Sequence, residues 1–97
     1  MIYDDSAVAA ARREGIAACY AGLGVVYRRQ NQLDKAEEMF QNALKVEKSL
    51  SRQQGMAACY DHLALIYDYR REPEKAEQMR RLARAIGEEP EYPAGSL

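Results

Sequence analysis

Gly15-Ile16-Ala17-Ala18-Cys19-Tyr20 returns forty residues later as Gly55-Met56-Ala57-Ala58-Cys59-Tyr60. The correspondence continues through Leu23/Leu63, Tyr27/Tyr67, Lys35/Lys75, Ala36/Ala76, Glu37/Glu77, Met39/Met79 and Ala43/Ala83. A fixed period of this size marks a supersecondary unit that cannot bury its apolar face alone and stacks on its neighbour. The pattern points to a scaffold for binding or assembly before it points to any chemistry.

Composition agrees with that expectation. The chain has 97 residues, one domain's length, and is rich in Ala, Glu, Arg, Gln and Leu, with three prolines and no tryptophan, which favours an all-α protein. A net charge of -1 gives no overall attraction to nucleic acid or acidic lipid. No apolar run approaches the roughly 18 residues that cross a bilayer, and Met1-Ile2-Tyr3-Asp4-Asp5 lacks the form of a secretory signal. Neither nucleic acid nor membrane is therefore expected as a partner. Cys19 and Cys59 fall at equivalent points of the two copies. A disulfide needs Cα atoms within about 7 Å, whereas neighbouring helices pack about 8 to 10 Å apart. Two free thiols serving as small core side chains are expected, which suits a reducing compartment and a cytoplasmic location.

Each copy divides into two helices, A and B. Ile16, Cys19, Tyr20, Leu23, Val26 and Tyr27 recur at spacings of three and four, as do Met56, Cys59, Tyr60, Leu63, Ile66 and Tyr67, so each set lies on one face of an A helix. Ser51 with Gln54 has the form of a capping box, predicting a second A helix from about Arg52 to Arg70. The first can begin at a cap on Ser6 and tolerate Gly15 at a cost of about 1 kcal/mol relative to Ala. Polar turns are predicted at 28–33 and 68–73. Asp34 with Glu37 resembles a second capping box, and Pro73 suits the first turn of a helix, where its missing N–H costs nothing.

Ala36, Met39, Phe40, Ala43, Leu44 and Val46 give the first B helix a broad apolar face. In the second, Arg80 and Arg84 replace Phe40 and Leu44, leaving the narrower stripe Ala76, Met79, Leu82, Ala83 and Ile86. A terminal helix of a stack needs a polar outer side, and the Arg80, Arg81, Arg84 side fits an end cap. Gly87 suits a left-handed residue ending this helix. The expected organisation is 1–14 as the end of a preceding helix or an extension of the first A helix, 15–50 as the first repeat, 51–87 as the second, and 88–97 as a mobile tail.

Tyr20-x-x-Leu23-Gly24-x-x-Tyr27, followed by Ala36-x-x-x-Phe40 and Ala43-Leu44, closely resembles the tetratricopeptide repeat pattern. The second copy keeps Tyr60, Leu63, Tyr67, Ala76 and Ala83, with Ala64 for the glycine and Arg80 for the phenylalanine. The forty-residue period is longer than the usual one of about 34, with the additional residues expected between one B helix and the next A helix. In this it is similar to the repeats of kinesin light chains and related adaptors. The resemblance implies two antiparallel helical hairpins stacked as a fragment of a right-handed solenoid. Gly24 and Ala64 would let each A helix approach its B helix, against Ala36/Ala76 and Ala43/Ala83, and the tyrosines would fill the space between hairpins.

The resemblance also implies a concave groove along the A helices. Its residues would be Ala18, Ala21, Gly22, Val25, Arg28 and Arg29 in the first repeat and Ala58, Asp61, His62, Leu65, Asp68 and Tyr69 in the second. Small and apolar side chains on the floor with charges at the rim suit a peptide or helix laid along it. The family's chaperone-binding members grip a C-terminal carboxylate with Lys, Asn and Arg. Gly22, Asp61 and His62 supply no such clamp here.

No catalytic residue, metal site or cofactor is expected. Cys59 and His62 lie three apart on one helix beside Asp61, but a core cysteine next to a groove histidine explains them without a third orienting group or metal-ligand spacing. The pairs Arg12-Arg13, Arg28-Arg29, Arg70-Arg71 and Arg80-Arg81 are interspersed with acidic residues and carry no aromatic platform for nucleic acid. Stacks usually need about three repeats for independent stability. Either the chain is a fragment whose residues 1–14 end a preceding B helix, or its open face is buried in a homodimer, with or without exchanged helices.

Overall fold

The computed structural model describes residues 5–88. Four helices occupy them: α1 (Asp5–Arg29), α2 (Leu33–Ser49), α3 (Gln53–Tyr69) and α4 (Pro73–Glu88). Each packs on the next, so α1–α2 and α3–α4 form two antiparallel hairpins that meet through α2 and α3. Among the described residues there is no strand, and the architecture is the all-α stack of hairpins expected from the repeat.

The three turns share one build. Asn31, Ser51 and Arg71 have φ of 61°, 54° and 61°, each one residue past the last helical C-cap. The N–H of Gln32 donates to the Tyr27 carbonyl (2.8 Å) and that of Asn31 to Arg28 (2.9 Å). Arg52 to Glu47 with Ser51 to Lys48, and Glu72 to Tyr67 with Arg71 to Asp68, repeat the pair. These are Schellman closures, which satisfy carbonyls that the helix end leaves without partners. Because the left-handed residues fall every twenty positions, helices begin at 33, 53 and 73. The turn between repeats is thus no longer than the turns within them, and the additional residues of the forty-residue period lengthen helices instead of a loop.

Several local expectations are corrected. Ser51 is not a cap: it is the left-handed residue of the preceding helix, and Arg52 takes the N-cap position of α3 with no side-chain capping bond. Asp34 and Glu37 form no capping box either. Gln32 is the N-cap of α2, again without a side-chain bond, and both carboxylates reach across to α3. Gly87 lies inside α4. Pro73 opens α4 as predicted, and Ser6 lies within the first turn of α1. Beyond Glu88 the expected tail lies outside the described residues.

Burial separates the two copies of one pattern. Phe40, Leu63 and Ile66 are the largest fully buried side chains, and Ala36, Ala43, Ala64 and Ala76 close the seams between helices. α3 is covered by α2 on one side and α4 on the other, so Cys59, Leu63, Ile66 and Tyr67 are buried. Among the described residues α1 packs mainly on α2, and its equivalents Cys19, Leu23 and Val26 are exposed. Cys19 is therefore a free thiol, as is Cys59, but it is not the core side chain expected. The arginines of α4 are engaged in ion pairs, Arg81 and Arg84 with Glu77 of the same helix and Arg80 with Asp68 of α3, and Leu82 is exposed.

A polar lock joins the hairpins. Tyr67 Oη donates to Glu37 Oε2 at 2.5 Å and Arg70 Nη1 donates to Glu37 Oε1 at 2.8 Å, while Arg70 also pairs with Asp34. Burial acts to raise the Glu37 carboxyl, but the bonds from Tyr67 and Arg70 and the charges of Arg70 and Lys75 outweigh it, leaving it below its ordinary value. Burial, with the bond to Glu37, pushes the Tyr67 phenol from 10.0 to about 12. A phenol raised on folding contributes stability that is complete below pH 10.0 and lost as pH rises through about 12. The urea midpoint is accordingly expected to fall across that interval, and Tyr67→Phe to flatten the fall. An equally steep alkaline limb in the variant would assign the titration to another group.

Candidate functional site

The two A helices carry the expected groove residues, and α2 decides how they sit. The tip of the Phe40 ring lies against Gly24 of α1, where a Cβ would fall 2.7 Å from it. Its face stacks on His62 of α3, with centroids 4.4 Å apart and planes inclined by 5°. One aromatic side chain thus ties both A helices together from beneath, and the glycine is the space it needs. His62, expected in the open groove, covers the core through this stack and is half-buried.

Charge around that stack comes from both repeats. Burial lowers the basicity of His62, the neighbouring Arg28 guanidinium lowers it further, and Asp61 opposes the shift. The imidazole is therefore neutral at physiological pH. Arg28 is half-buried, and its Nε is buried with no hydrogen-bond partner among the described residues. Asp61 is exposed at the rim. The structure brings Arg28, Asp61 and His62 together across the seam between repeats, whereas Asp68 is drawn to Arg80 of α4 and does not join them.

The apolar groove residues divide by depth. Ala21 and Val25 pack partly against the core, Leu65 is half-buried, and Ala18, Gly22, Arg29 and Ala58 are exposed. Tyr69 is 58% exposed near the end of α3, four residues after Leu65 and on the same face. Cys59 is buried on another face of α3, near Glu47 of α2. Burial, with the Glu47 charge, pushes its thiol from 9.0 to about 11, so it stays protonated at neutral pH and offers no thiolate to pair with His62.

One arrangement escaped the sequence reading. Glu47, a carboxylate on the face of α2 that meets α3, is buried at 8% exposure. Its carboxylate rests on Gly55, where a Cβ would fall 1.8 Å from Oε2, and accepts a hydrogen bond from Arg52 Nη1 at 3.1 Å. The available signal was an arginine three residues before a helical glycine, a spacing that recurs as Arg12 and Gly15. A second surface feature lies there: Arg12, Gly15, Ile16, Cys19, Tyr20 and Leu23 line an apolar hollow of about 480 Å³ on α1.

Comparison with known proteins bears on this geometry. The family model described as tetratricopeptide repeat matches residues 16–89, both hairpins together. No curated protein and no solved structure matches the chain.

Proposed function

Since the chain belongs to the tetratricopeptide repeat family through residues 16–89, we propose that it is a non-catalytic protein-interaction scaffold taking a peptide or partner helix along the groove face of α1 and α3. The observation that supports this most directly is the composition of that face. Leu65 and the exposed Tyr69 offer apolar surface, and Arg29 and Asp61 on the same faces of α1 and α3 are exposed charges. A bound chain would bury the first and pair with the second, the combination that peptide grooves use for affinity and register.

Because Val25 also leans on the core, Leu65 and Tyr69 make the cleaner test. Peptides selected from a displayed library on the intact protein should lose at least about tenfold in affinity to the double variant Leu65→Glu, Tyr69→Ala, equivalent to about 1.4 kcal/mol. The thermal midpoint should move little, since neither side chain is fully buried. Selected peptides that bind the variant as well as the native chain would move the site elsewhere.

The stripe Ile16, Leu23 and Val26, each close to half exposed, supports a second reading in which α1 is covered by another helix, its simplest form being a homodimer. An equilibrium sedimentation mass of 11.0 kDa at tens of micromolar would remove the dimer.

A further inference from the structure

α1 and α3 repeat the same surface, but only α3 is covered. On α3 the covering helix, α2, seats Glu47 over Gly55 and against Arg52. Forty residues earlier in the sequence stand Arg12 and Gly15; Arg12 is helical where Arg52 is an N-cap, and it lines the same hollow as Gly15. A Cβ on Gly15 would meet nothing within 4 Å, and Arg12 has no ion pair among the described residues. Glycine inside an exposed helix weakens it, and within the described residues nothing requires one at this position. At Gly55 the use of one is visible: a Cβ would fall 1.8 Å from Oε2 and 2.3 Å from Cδ of Glu47, so the carboxylate could not keep its seat.

We propose that the open face of α1 is a docking site for an antiparallel amphipathic partner helix that delivers a glutamate onto Gly15 and Arg12. Its apolar side chains stand three and seven residues before that glutamate, as Leu44 and Phe40 stand before Glu47, and cover Ile16, Cys19 and Leu23. Charge complementarity selects this occupant over a second copy stacked head to tail. On α4 the counterpart of Glu47 is Gly87 and that of Leu44 is Arg84. Such stacking would bring no carboxylate to Arg12 and would set a guanidinium against the apolar hollow. The site lies on a different face of α1 from the groove, so neither stands or falls with the other.

The probe is a synthetic peptide of Leu33–Ser49, held helical by a side-chain bridge between Gln41 and Lys45, both exposed, with helicity verified by circular dichroism before use. Mixed with the full chain, it should bind and slow maleimide alkylation of the exposed Cys19 at least about tenfold at saturation. Gly15→Ala should raise the thermal midpoint of the free protein yet weaken peptide binding at least about tenfold, opposite signs that a structural role for the glycine would not produce. A peptide carrying Glu47→Arg should lose binding to the native chain and recover it with Arg12→Glu. No binding by a peptide of verified helicity, or undiminished binding to Gly15→Ala, overturns the proposal. So does binding that depends on Gly55 and not Gly15, which would mean displacement of α2, and a peptide-independent dimer that protects Cys19, which would assign the face to a second copy.

Discussion

Phe40→Ala is expected to lower folding stability by about 3–5 kcal/mol, the range for emptying an aromatic site in a closed core. The ring is fully buried, its tip fills the space left by Gly24 and its face carries His62. Truncation therefore removes contacts to both A helices at once, and backbone on the α1 side gives the site no flexible side chain with which to collapse. Domains of this size have about 5–15 kcal/mol in all, so the variant should be partly unfolded at ambient temperature. Arg80, the equivalent residue of the second repeat, holds only the exposed Asp68. Arg80→Ala should cost no more than about 1 kcal/mol. Urea denaturation of the two variants checks the pair, and similar losses would mean that the ring is not what joins the repeats.

Leu63→Ala should cost about 2–5 kcal/mol, whereas Leu23→Ala, at the same place in the same pattern, should cost under about 1 kcal/mol. Leu63 is 1% exposed and Leu23 is 45% exposed. The difference is the number of closely packed helices: among the described residues α3 packs on α2 and α4, α1 mainly on α2. The gap is also a measure of occupancy, because a helix docked on α1 would bury Leu23 and raise the cost of removing it. Chemical denaturation with and without the bridged Leu33–Ser49 peptide reads that change. Equal costs for the two leucines in the free protein would contradict the described burial.

Much of the architecture was legible because it is periodic. The spacing of three and four in Met56, Cys59, Leu63 and Ile66 specifies a helix face whatever lies against it, and Pro73 announces a helix start through its own missing N–H. The turns were less legible. Only Asn31 among the three left-handed residues is of a type that favours that conformation; at Ser51 and Arg71 the Schellman bonds impose it. Ser51 and Asp34 both carried the composition of caps and serve otherwise. Asp34 and Glu37 find Arg70 and Tyr67 thirty or more residues away, a partnership that local spacing does not contain. Of the candidate groove, His62 and Asp68 were placed on the right helix, yet the first is held by Phe40 and the second by Arg80.

By itself the sequence determined two like hairpins, their helical faces, and the family to which they belong, since each follows from periodicity along a single segment. Only the tertiary structure decided which of two like faces is covered, why Glu47 can be buried, and what Gly55 makes room for while Gly15 stands open. Periodicity says which side chains share a face; burial depends on how many neighbours that face has, and the hairpins differ in that number.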